Sequence, residues 1–224
     1  MSELRGIAIV YQDDYLAVID KPAGLLVVPT PKKETRTLTG IVNSCARTVF
    51  LCSRLYPVHR LDRETSGLII YAKNRDIERR MAEQFRRRQI TKKYIALVQG
   101  NPLRQVGTIS SPIDDNPMRL RRFRRNPKSA LTRYRALAQR KGYSIVEVIP
   151  VTGRTNQIRI HMQQIGHPLL GERKYAFGRD YPLKFKRVAL HATFLKFHHP
   201  ITGQEITLHS DLPADLESFI KEHQ

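Results

Sequence analysis

Residues 68–71 read Leu-Ile-Ile-Tyr, an apolar run with no polar position inside it. Such a run, entered through Thr65-Ser66-Gly67, reads as a buried strand, and a fold must supply a core around it. Immediately upstream lies HRLDRE, residues 59–64, in which one acid, Asp62, stands between Arg60 and Arg63 with His59 three residues before it. Opposite charge favours the ionised carboxylate. Taken alone this is an ordinary surface ion pair, a common and weak interaction. Its position is less ordinary, because a loop at the mouth of a buried strand is a natural mount for a working group.

Around this strand the pattern alternates irregularly between strands and helices. Residues 7–10 and 15–19 read as short strands about an Asp13-Asp14 turn, and LLVVP, residues 25–29, as another. Residues 74–90 are the clearest helix: Ile77, Met81 and Phe85 recur at four-residue spacing, with Asn74 placed to cap. Its other face carries Arg79, Arg80, Arg86, Arg87 and Arg88, either solvated or in contact with phosphate. Strands are expected at 92–100 and 144–151, and a helix over 155–165, stopped by Gly166 and Pro168. A hairpin is expected over 188–209, with a closing helix through Leu212, Leu216, Phe219 and Ile220. Hairpins without strict βαβ repeats predict an α+β fold on a mixed, largely antiparallel central sheet. The 224 residues suit one domain, 1–224, or two small lobes about a central cleft.

Charge narrows the function. Lys plus Arg number 39 against 20 for Asp plus Glu, a formal +19. That excess points to a polyanionic partner, foremost nucleic acid. The densest basic stretch is 116–135, with RLRRFRR at 119–125. No helix-turn-helix, finger or basic zipper is recognisable, which weighs against DNA. No GxGxxG, P-loop, GxSxG or HExxH occurs. Asp13-Asp14 and Asp114-Asp115 lie in turn-like contexts where Asp belongs structurally, and the histidines lack metal-ligand spacing. Cys45 and Cys52 form neither a CxxC pair nor a disulfide framework, which fits a reducing, cytoplasmic compartment. No apolar run approaches the ~18 residues of a membrane helix.

HRLDRETSGLIIYAKN resembles the HRLDxxTSG motif of the RluA family of pseudouridine synthases. Further blocks are similar and in the same order: DDYLAVIDKPAGLLVVP (13–29), KKYIALVQG (92–100), TGRTNQIRIHMQQIGHPLLGERKY (152–175) and ALHATFLKFHHPITG (189–203). The resemblance covers nearly the whole chain. It implies isomerisation of uridines in structured rRNA, tRNA or both by a catalytic domain with no cofactor and no metal; a monomer is the default expectation. A catalytic domain without the S4 module that many relatives carry is expected, residues 1–6 being too few for one.

By resemblance Asp62 is the essential acid, either a nucleophile at C1′ or a base on the ribose. Arg159 is its basic partner, and Tyr94 lies against the uracil. On the residues alone, Tyr94 reads as strand packing and Arg159 as a helix-surface charge. Arg60 is the side chain expected to enter the RNA where the base leaves its stack. His59, Arg63, Arg154, Asn156, Arg121 and Arg122 complete the expected RNA-binding set. Asn156 departs from the family pattern, which has His at that position. The rival reading is a non-catalytic RNA-binding or ribosome-assembly protein on the same fold.

Overall fold

The computed structural model describes residue 4 and residues 6–113, 127–176 and 181–224. In chain order the elements are β1 (Ala8–Gln12), β2 (Leu16–Lys21), α1 (Leu38–Ser44), β3 (Tyr56–Pro57), β4 (Ser66–Ala72), α2 (Arg75–Arg86), β5 (Thr91–Gln99), β6 (Val106–Ser110), β7 (Leu131–Arg140), β8 (Tyr143–Pro150), α3 (Gln157–Gln164), β9 (Leu190–His198), β10 (Glu205–His209) and α4 (Ala214–Glu222). They divide into two compact units, residues 1–92 with 191–213 and residues 93–190 with 214–224.

The first unit is built on the apolar run. All seven residues of β4 are buried, because helices cover both faces of the strand. Leu68, Ile70 and Ala72 pack with Leu16, Val18, Leu195 and Phe197 against Ile77 and Met81 of α2. On the other face Tyr71 reaches α1, its hydroxyl 3.0 Å from Thr39 Oγ1. β2 pairs antiparallel with both β1 and β4, and β10 folds back antiparallel on β9. β4 runs parallel to β9, with Ser66 opposite His191 and Gly67 opposite Ala192. The β1–β2 turn is closed by Asp13, whose Oδ1 accepts from the amides of Tyr15 and Leu16, both at 2.7 Å. Asn74 caps α2 by accepting from the Ile77 amide at 2.9 Å, as its position before the periodic segment predicts.

The LLVVP segment differs from its expected form. It makes only an isolated bridge, Leu26 to Thr37. Its carbonyls serve a helix instead: Leu26 O accepts from the Leu38 amide at 2.7 Å and Val27 O from the Thr39 amide at 3.0 Å. The first amides of a helix have no partner within it, and this extended chain provides one.

The second unit is a four-stranded antiparallel sheet in the order β5-β8-β7-β6. Tyr94, Ala96 and Val98 are buried, and so is Leu97 on the opposite side of β5. α3 buries Ile158 and Met162, the expected stripe, together with Gln157, Arg159 and His161. α4 docks through Leu216 and Phe219. Tyr143 anchors its end, the phenol donating to His223 O at 3.0 Å.

β4 and β9 approach so closely at Gly67 that a Cβ there would sit 2.3 Å from Ala192 O and 2.6 Å from Ala192 N. The residue also has φ +110°, a region that side chains disfavour. Gly67→Ala is expected to lower the unfolding free energy by about 3 kcal/mol, read from equilibrium urea denaturation.

Candidate active site

Asp62 lies on the turn between β3 and β4. Leu61 is buried, whereas Arg60 is exposed and Asp62 half-buried. The apolar residue thus plugs the turn into the core and leaves its polar neighbours outside. The Thr65 amide donates to Asp62 O at 3.1 Å and closes the turn. A second block holds it from beneath. Lys21, fully buried, donates from Nζ to Pro22 O at 2.9 Å, Leu25 O at 2.8 Å and Arg63 O at 3.1 Å. The Gly24 amide adds a bond to the same Arg63 carbonyl at 2.8 Å. The Lys-Pro-Ala-Gly and Leu-Asp-Arg segments, some forty residues apart in sequence, therefore form one braced loop pair.

The Arg63 guanidinium pairs with Glu34 Oε1 at 3.1 Å. The amide and hydroxyl of Thr30, with Arg63 beside them, hold the Glu34 carboxyl below its ordinary value. Arg60 is exposed and makes no ion pair among the described residues.

His59 is engaged within the protein. Its Nε2 accepts from the Ile70 amide at 3.1 Å, so the imidazole fastens the turn to β4. Its ring packs 5.0 Å from that of Phe85. Because Nε2 accepts, the neutral ring carries its proton on Nδ1, an atom shut from solvent and without a hydrogen-bond partner. Burial, reinforced by the nearby Lys92 ammonium, pushes this histidine down to about 3.

In the second unit Tyr94 sits on β5 opposite Val148 of β8 and is 7% exposed. Arg159 is far from a helix-surface charge. Its Nε donates to Glu172 Oε2 at 2.6 Å and its Nη2 to Oε1 at 2.8 Å, a two-pronged pair that fixes the guanidinium plane. Glu172 is held in turn by the amides of Lys174 at 2.8 Å and Tyr175 at 3.0 Å. In the sequence Glu172 carries one signal of a role, as the lone acid within the basic GRTNQIR-to-GERKY block.

Asn156 starts α3 in the left-handed region, φ 54° and ψ 23°, which Asn tolerates better than most side chains. Its Oδ1 accepts from Arg159 Nη1 at 3.0 Å and its Nδ2 donates to the Tyr175 hydroxyl at 3.0 Å. The amide thus works within the protein, steadying Arg159. Arg154 donates from Nε to Ser129 O at 3.2 Å. Beneath this loop Gln157 accepts from Thr152 Oγ1 and the Arg154 amide, and donates to Leu131 O and Thr132 Oγ1.

Other expected contacts fare unevenly. On α2, Arg75, Arg80, Arg86 and Arg87 pair with Glu78, Asp76 and Glu83 of the same helix, so much of that basic face is neutralised locally. Arg121 and Arg122, with the rest of 119–125, lie outside the described residues. Among the described residues no group of His, Cys, Asp and Glu could hold a metal ion, and no helix is long and apolar enough to cross a membrane.

The buried histidines make stability depend on pH. The unfolded chain protonates His59 near 6.5 and the folded chain near 3. Between those values the unfolded state binds more protons, so stability falls as pH drops, by up to about 1.4 kcal/mol per pH unit. Burial lowers His161 as well, with the same sign. Urea unfolding from pH 7 to pH 4 is expected to show this slope, and His59→Asn to make it shallower by about one proton.

Known proteins resemble this chain in sequence and in fold. The family model described as RNA pseudouridylate synthase matches residues 15–164, drawn from both units. The chain is 35% identical to the RNA pseudouridine synthase YlyB of Bacillus subtilis, over 99% of this chain and 74% of that protein. It is 34% identical to ribosomal large subunit pseudouridine synthase D of Escherichia coli K12, over 95% and 69% respectively. Among solved structures, human RNA pseudouridylate synthase domain containing 4 superposes with a TM-score of 0.81 at 29% identity, covering 98% of this chain and 93% of its own. Human RNA pseudouridylate synthase domain containing 1 gives 0.72 at 27%, covering 95% and 86%. The chain therefore belongs to the RNA pseudouridylate synthase family, in its RluA branch, and is an enzyme that isomerises uridines in RNA.

Proposed function

We propose that this enzyme acts on structured ribosomal RNA, with transfer RNA as the second substrate class, and that Asp62 is its essential acid. Ribosomal RNA is favoured by the names of its relatives, the large-subunit pseudouridine synthases. The observation that carries the acid assignment is the bracing of the Asp62 turn. Lys21, Gly24 and Thr65 fix its backbone while Leu61 anchors it in the core. A reacting group benefits from such preorganisation, and a surface ion pair needs none.

The N1–C1′ bond of uridine breaks, the uracil turns, C5 bonds to C1′, and the C5 proton leaves while N1 gains one. Substrate and product have the same composition, so the reaction consumes no external group. The Asp62 carboxylate works on the ribose, as nucleophile at C1′ or as base, and either role uses its ionised form. Tyr94 lies against the uracil, where its ring stacks and its hydroxyl serves the proton transfer at C5. Arg159, its plane fixed by Glu172, supplies the positive charge of the site. Arg60, exposed and without an ion pair among the described residues, enters the RNA where the base has left its stack. Arg63, Arg154 and the 119–125 cluster meet phosphates, which position RNA rather than specify it. The enzyme works as a cytoplasmic monomer, residues 1–224 forming one catalytic domain without metal or cofactor.

Incubation with RNA tritiated at uridine C5 is expected to release tritium. Asp62→Asn is expected to lower that release by at least about 10³-fold while RNA affinity at fixed salt stays within about twofold of wild type. Absence of release from every cellular RNA would favour the non-catalytic, ribosome-assembly reading. Arg159→Lys, which cannot form the fork with Glu172, is expected to lose about 10²-fold in kcat.

A further inference from the structure

A second set of polar groups lies behind the Asp62 turn, buried and outside the reaction described above. His191 of β9 is 1% exposed, Ser66 3% and Ser210 7%. Ser66 Oγ lies 3.0 Å from His191 Nδ1, and His191 Nε2 lies 3.1 Å from Ser210 Oγ. Ser210 Oγ donates to Asp20 Oδ2 at 2.5 Å. The chain Ser66–His191–Ser210–Asp20 joins three sequence blocks: the Thr-Ser-Gly that follows Asp62, the β9–β10 hairpin, and the Asp that precedes Lys21-Pro22.

The bonding has a direction. A serine hydroxyl has one proton, and that of Ser210 is directed to the Asp20 carboxylate. The Ser210 oxygen therefore receives the Nε2 proton of His191. In the neutral imidazole Nδ1 is then the acceptor, and the Ser66 hydroxyl donates to it. Every link has one donor and one acceptor, and the chain ends on a carboxylate. The series of groups is like that of a serine nucleophile with its base. That use is ruled out, because the Ser66 hydroxyl is sealed in the strand pair and Ser210 stands between the imidazole and the acid.

What the chain does is hold. Ser66 is the first residue of β4 and lies directly opposite His191 in the parallel β4–β9 pair. Thr65, its neighbour, closes the Asp62 turn. The far end of the chain, Asp20, precedes the lysine that braces the same turn through Arg63 O. We propose that His191 is a positioning residue for Asp62: through Ser66 on one side and Ser210–Asp20 on the other, it sets where the turn leaves β4. The inference rests on the assignment of Asp62 as the acid.

The test compares wild type with His191→Gln, Ser66→Ala and their double variant in the tritium-release assay, with Asp62→Asn alongside. Single-turnover rates with enzyme in excess are divided by the folded fraction from circular dichroism. A residue that merely stabilises the fold lowers the folded fraction and leaves the rate of folded molecules alone. The expected result is a fall of about 10²-fold in that rate with KM for RNA within about twofold. The double variant should fall no further than the worse single one, because both break the same link. If folded His191→Gln turns over at the wild-type rate while Asp62→Asn is inactive, the positioning role is refuted and the acid assignment stands. If Asp62→Asn itself turns over, the acid assignment fails and the inference falls with it. Should His191→Gln not fold, Ser210→Ala keeps the imidazole and removes its acceptor together with the link to Asp20; a fall of about tenfold at unchanged KM supports the proposal, and a wild-type rate overturns it.

Discussion

The buried ammonium of Lys21 is the interaction on which the first unit's working edge depends. An ammonium taken out of water is strongly unfavourable unless its protons are matched. Here the matching acceptors are backbone carbonyls of its own loop and of Arg63, the residue after Asp62. Displacing the Asp62 turn would strip the buried charge of a partner, so the energetic penalty falls on movement itself. Lysine suits this better than arginine, since a compact point charge can meet carbonyls converging from different directions.

A parallel device serves the second unit. Arg159 is buried, and Glu172 holds it by two prongs, with Asn156 on a third nitrogen. Asn156 stands where the family pattern has His, and it does so in a left-handed conformation with both ends of its amide engaged. The two units thus share one strategy: a buried cation whose hydrogen bonds fix a short loop.

Much of this was legible in the sequence, for stated reasons. The Leu-Ile-Ile-Tyr run told of β4 because a strand covered on both faces needs no polar positions. Asn74 and the Ile77–Met81–Phe85 spacing told of α2 because caps and periodicity are local signals. Long-range effects were hidden. LLVVP looked like a strand, but its carbonyls were claimed by α1, a helix too short to announce itself. β7 was masked by the charges of its outward face, where exposed Arg133 and Arg135 alternate with buried Thr132 and Tyr134. The bond that His59 accepts from Ile70 was hidden among charged neighbours, although it spans only eleven residues. Motif resemblance located Arg159 but carried no word of the carboxylate thirteen residues on.

The close approach at Gly67 bears on how this chain can drift. The atoms that a side chain there would meet are the backbone nitrogen and oxygen of Ala192, which every amino acid shares. A crowded core position can be rescued by trimming a neighbour. This one has no neighbour to trim, so a search for second-site suppressors should come back empty around it. Positions 67 and 192 should accordingly show no covariation among descendants of this sequence, despite lying side by side.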